Sequence, residues 1–194
     1  PLVDIVSHSL MPGRFHLILR ERKSGNISKF MAKLSTGYTM YFNKRHERSG
    51  VLLQGKFKTT HADEDRYLKY LISYIHLNPV KLTDPQWKKN GIKDRRSAEK
   101  FLRQYRYSSY LDYLVTRGPT SCRASNWILN KEVAMDYFGS ARDFKTEIAD
   151  WLVSDGRKPV PRVVAKHGGY AENGGGCGYR KFVGYVLAEN TESL

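Results

Sequence analysis

The chain has 194 residues, is 40% hydrophobic and carries a formal net charge of +14. Its apolar content is enough for a packed core and argues against wholesale disorder, and no run approaches the ~18 apolar residues of a membrane span. Cys122 and Cys177 stand far apart without metal-type spacing, which argues against a disulfide scaffold or a Cys-based zinc site and makes a reducing, cytoplasmic setting the default.

The positive charge is unevenly spread. Residues 1 to 118 hold 23 Lys and Arg against 10 Asp and Glu, whereas residues 119 to 194 hold 10 against 9. Segment 14 to 58 alone has 11 basic and 2 acidic residues. Such a surface attracts polyanions through phosphate contacts and counterion release. Phe30, Tyr38, Tyr41, Phe42 and Phe57 lie among these charges, and exposed aromatics there would stack on unpaired bases.

In chain order, "VDIVSHSL" (3 to 10) and "RFHLILR" (14 to 20) read as two strands of an antiparallel hairpin, with "MPG" as the turn. Alternation puts Phe15, Leu17 and Leu19 on one face and Arg14, His16 and Ile18 on the other. A three-residue turn would set His8 opposite His16. Residues 26 to 48 follow helical spacing through Ile27, Phe30, Met31, Leu34, Tyr38, Tyr41 and Phe42, capped by Asn26 or Ser24 and stopped at Gly50. Lys29, Lys33, Lys44, Arg45 and Arg48 decorate that helix, and a strand at 51 to 60 adds Lys56 and Lys58.

A second helix is expected from Asp63 to Asn78, with acidic residues at its N-terminus and Pro79 as its stop. Leu68, Leu71, Ile72 and Ile75 form its packing stripe, while Tyr67, Tyr70, Tyr74 and Asn78 form another. Residues 81 to 100 read as a polar connection, followed by the aromatic cluster "FLRQYRYSSYLDYL". Composition shifts around residues 116 to 121, and further helices are expected at 126 to 138 and 141 to 153. Beyond Pro159 a glycine-rich tail lacks the spacing of a nucleotide-binding fingerprint. The expected sections are 1–118, 119–158 (an accessory helical region) and 159–194 (a loosely ordered tail). Pro1 already stands in an apparent strand, so a preceding segment is expected.

Chemistry concentrates on the hairpin and the second helix. A ring nitrogen of His16 and the side-chain carbonyl of Asn78 are donors suited to magnesium or manganese. Tyr74 lies one turn before Asn78, and a nearby cation would help its phenol act as a nucleophile. Each residue also has an ordinary role: a hydrogen-bonded core histidine, a packing tyrosine, a helix-stopping asparagine.

"LMPGRFHLIL", "GYTMYFNKRHERSGVLLQGKFK", "YLISYIHLNPVKL" and "YRYSSYLDYL", read together over roughly residues 5 to 115, resemble the single-tyrosine transposases of insertion sequences, in the branch called REP-associated tyrosine transposases. The resemblance implies an α+β fold: an antiparallel sheet with helices packed on it, in the ferredoxin-like or palm-like sandwich of the HUH superfamily. The small helical C-terminal part would be an addition to it. It also implies Tyr74 as nucleophile, a Mg2+ or Mn2+ ion held by His16 and Asn78, and single-stranded, hairpin-bearing DNA as substrate. The basic residues Lys29, Lys33, Lys44, Arg45, Lys56 and Lys58 would track the DNA backbone. Relatives of this kind include monomers and homodimers.

The resemblance also implies two histidines flanking a hydrophobic residue on the strand; the second falls on His16, the first falls on Arg14, and there the pattern breaks. A guanidinium is a permanent cation without a lone pair to offer a metal. Weakened metal affinity is therefore expected, and three outcomes stay open. The chain is a binder that has lost catalysis, or Arg14 itself grips the phosphate, or His8 replaces the missing ligand.

Overall fold

Pro12 and Gly13 make the first turn, with Gly13 at a φ of +70° that a side chain would strain. They join β1 (Val3–Met11) to β2 (Arg14–Glu21), which pair antiparallel with Met11 opposite Arg14. The computed structural model describes residues 1–53, 55–62, 65–114, 128–153 and 183–189. Along the chain follow α1 (Asn26–Arg45), β3 (Lys58–Ala62), α2 (Asp65–Leu77), a 3-10 turn (Asn78–Leu82), α3 (Trp87–Asn90), α4 (Arg95–Gln104) and α5 (Tyr110–Leu114). After these come α6 (Glu132–Phe138), α7 (Ala141–Val153) and β4 (Val183–Glu189).

The described residues form an α+β structure, with four strands in the order β1-β2-β4-β3. All three pairings are antiparallel. The outer edge of β1 is covered by residues 107 to 109: Leu10 N donates to Tyr107 O at 2.8 Å, and Ser109 N donates to His8 O at 3.0 Å.

Strand alternation sorts the core into two layers. Leu17 and Leu19 of β2 join Val3, Ile27 and Met31 under α1. Ile18 and Val6 lie on the other side with Leu68, Leu71, Ile72 and Ile75 of α2. The two long helices therefore occupy opposite faces of the sheet. Tyr110, Tyr113, Val133, Phe138, Phe144 and Ile148 extend the α2 layer. Near its centre His76, fully buried, bonds through Nε2 to Ser7 Oγ at 3.1 Å and Ser109 Oγ at 2.8 Å. These bonds tie α2 to β1 and to the segment that covers its edge.

Several expectations need correction. The turn has two residues, not three, so Ser9 stands opposite His16 and His8 opposite Leu17. α1 begins after Gly25, at φ +79°, without a side-chain cap; the Glu21 carboxylate instead accepts from Ile27 N at 3.0 Å. It ends at Arg45 rather than residue 48. The third strand starts at Lys58, later than residue 51. Residues 81 to 100 are mostly ordered into the 3-10 turn, α3 and the start of α4, which Asp94 caps by accepting from Ser97 N at 3.1 Å. The expected accessory helices share the α2 core, and residues 183 to 189 of the expected tail are a strand inside the sheet. The expected boundary at 116 to 121 and the glycine run lie outside the described residues. No helix among the described residues is long and apolar enough to cross a membrane.

Candidate functional site

β2 and the end of α2 bring three of the sequence-predicted residues together. His16 projects from β2 toward α2, on the same face as Ile18. Pro79 stops the α-helix and tightens the chain into the 3-10 turn, which holds Asn78 beneath the sheet. Asn78 Nδ2 and His16 Nε2 are hydrogen-bonded at 2.8 Å, and both residues are buried, 3% and 4% exposed. The Tyr74 ring meets the His16 ring edge-on, with centroids 6.5 Å apart.

Tyr74 closes a stack of three phenols. Tyr67 and Tyr70 are stacked at 6.1 Å, and Tyr70 and Tyr74 at 5.9 Å. Tyr67 and Tyr70 are buried, whereas Tyr74 is half-buried at the open end. Burial, and then the neighbouring Tyr74 and Tyr67, push the Tyr70 phenol up from its ordinary range. Tyr74 is thus the most exposed member of the stack.

Two residues that sequence reasoning did not select complete the site. Lys88 of α3 donates from Nζ to the Tyr74 hydroxyl at 2.6 Å, and its ammonium lies 4.3 Å from the centre of that ring. Lys81 sits in the 3-10 turn three residues after Asn78. Burial, and after it the charges of Lys88, Arg14 and Lys81, hold the His16 imidazole down to about 3. His16 is therefore neutral at physiological pH, with three cations around it. Lys81 carried a weak signal in "NPVKL", since it lies one turn past Asn78. Lys88 carried none, because the loop that returns it to Tyr74 leaves no periodicity to read.

The other candidates separate. Arg14 shares the α2-side face with His16, by alternation along β2. Lys58 stands on the same row: it and His16 flank Leu187 from opposite sides, two strand spacings or about 9–10 Å apart. Lys29, Lys33, Lys44 and Arg45 lie on α1, which packs on the opposite face, so they do not join Tyr74. Lys56 is exposed ahead of β3. His8 is removed from the candidate ligands because its partner in the hairpin is Leu17, on the α1-side face.

The donor set fits a divalent cation poorly. His16 and Asn78 bond to each other, and Lys88, Arg14 and Lys81 act on His16 with positive charge. Among the described residues no group of three or more His, Cys, Asp or Glu gathers anywhere. The same set suits a phosphate, which would enter next to a phenol hydroxyl and face Arg14, Lys81 and Lys88. Comparison with family models, with curated proteins and with solved structures finds no match in any of the three.

Proposed function

We propose that the chain is a transposase-like strand-breaking and strand-joining protein acting on single-stranded, hairpin-bearing DNA in the cytoplasm, built on an HUH-type sandwich. The observation that carries this reading is the meeting of His16, Tyr74 and Asn78 on the α2 side of the sheet. His16 of "FHL" lies 62 residues before Asn78, which shares the motif "YIHLN" with Tyr74.

In this reading Tyr74 Oη attacks the phosphorus of a phosphodiester. The Oη–P bond forms, the P–O3′ bond breaks, and the DNA is left with a 5′-phosphotyrosine and a free 3′ hydroxyl. The phenol proton leaves to solvent and the 3′ oxygen takes one from solvent. The covalent link conserves the bond energy, so rejoining by the reverse attack needs no nucleotide cofactor. Lys88 and Arg14 are placed to neutralise charge that builds on the phosphoryl oxygens. Tyr38 and Tyr41, exposed on α1 among Lys33, Lys44 and Arg45, offer stacking surfaces for unpaired bases at a distance from the cut.

The test is a labelled single-stranded hairpin incubated with the protein and then denatured. Adduct that survives denaturation and disappears in Tyr74→Phe supports strand breakage. A second reading is favoured by Arg14, which stands where the family resemblance places a histidine: a hairpin binder without catalysis. Tight binding with no adduct at any manganese concentration selects it.

A further inference from the structure

We infer that Arg14, Lys81 and Lys88 form a phosphate seat around His16 and Tyr74, so that the site holds a phosphodiester without a divalent cation. This deepens the function proposed above and rests on its choice of substrate. The first ground is geometric. The three cations arrive from three elements: Arg14 stands two residues before His16 on the same face of β2, Lys81 lies three residues past Asn78 in the 3-10 turn, and Lys88 of α3 reaches the Tyr74 hydroxyl.

The second ground is the position of Lys88. An ammonium carries three protons. Donation of one to the Tyr74 hydroxyl leaves others for a phosphate oxygen, and this fixes the phosphorus beside the attacking atom. Arg14 adds a planar fork that takes two phosphate oxygens at once. The third ground concerns His16 itself. Its ring nitrogen is engaged with Asn78, a bond that fixes the orientation of the imidazole. Lys58, on the same row of the sheet, is placed to meet the next stretch of backbone.

The experiment uses the full chain and a fluorescent single-stranded hairpin oligonucleotide, with affinity measured across a salt series in EDTA and again in manganese. The seat predicts equal affinity in the two conditions. It also predicts that Lys81→Gln and Lys88→Gln each lower the slope of log K against log salt by about 0.7, and that the double variant binds on the order of tenfold more weakly. Lys145→Gln, exposed on α7, serves as the control and leaves both quantities unchanged. Affinity that appears only with manganese overturns the seat, and so does an unchanged slope in both variants. The manganese comparison needs no variant, so a misfolded substitution does not spoil the test. Adduct formation is scored in the same samples. Seat behaviour without adduct sinks the attack by Tyr74 alone, and adduct without seat behaviour sinks the seat alone.

Discussion

α2 is closed in by the sheet and by α5, α6 and α7, whereas α1 keeps only its first turns on the sheet. In α2 the residues Leu68, Leu71, Ile72 and Ile75 are almost wholly buried, and even Tyr67 and Tyr70 are covered. In α1 burial stops at Met31; Leu34, Tyr38, Tyr41 and Met40 are 38%, 48%, 57% and 67% exposed. The far half of α1 is held by contacts along its own length: Tyr38 with Phe42 at 6.1 Å, Arg45 Nη1 with Tyr41 Oη at 2.8 Å, and Phe42 with His46 at 4.2 Å. An apolar stripe of the same helical period therefore serves the core in one helix and remains exposed in the other.

The largest expected effect breaks the first half of that comparison. Ile72→Ala removes a fully buried side chain and should cost about 3 kcal/mol, read as a fall in the denaturation midpoint. Tyr38→Ala should behave in the opposite way, losing roughly 2 kcal/mol of affinity for single-stranded DNA with the midpoint unchanged. If instead Tyr38→Ala destabilises the fold and spares binding, α1 has a covered face and the contrast fails.

A pH titration sharpens the α2 side. Burial, and then the nearby His8, hold His76 down to about 3, with Ile72 O opposing. The groups packed around it are the Ser7 and Ser109 hydroxyls, Tyr110, Tyr113 and Phe144, with Asp112 acting on His8. A depressed pKa means that the unfolded chain takes up the proton first. Stability is thus complete above about pH 6.5 and falls by about 1.4 kcal/mol per pH unit for this group below it. Melting temperatures between pH 7 and 4.5 should decline for the wild type. The smallest effect is Leu34→Ala, expected below about 0.5 kcal/mol; a cost near that of Ile72→Ala would show that the exposed stripe is packed after all.

Local pattern makes the hairpin and α2 legible in the sequence. Alternation in "RFHLILR" separates His16 from Leu17, and the structure sends them to opposite layers. Helical spacing put Tyr74 and Asn78 on one side of α2, and Asn78 reaches His16. What stayed hidden depends on return paths through space. Nothing near "DPQWKKN" tells Lys88 from Lys89, yet only the chain's turn after Leu82 brings Lys88 to the Tyr74 hydroxyl. The His8 register failed by a single residue of turn length, enough to flip a side chain through the sheet. "VGYVLAE" was absorbed into a glycine-rich surrounding, since its partners lie more than a hundred residues earlier.

That last strand sets the order of events on the ribosome. β2 and β3 are made first and pair with the segment at 183–189, which fills the place between them only after more than a hundred further residues have been added. Until then the nascent protein carries two naked strand edges, the kind of surface that recruits other chains. A premature stop upstream of residue 183 would accordingly yield a sticky fragment for chaperones and proteases to clear, even with every residue of the Tyr74 pocket already translated.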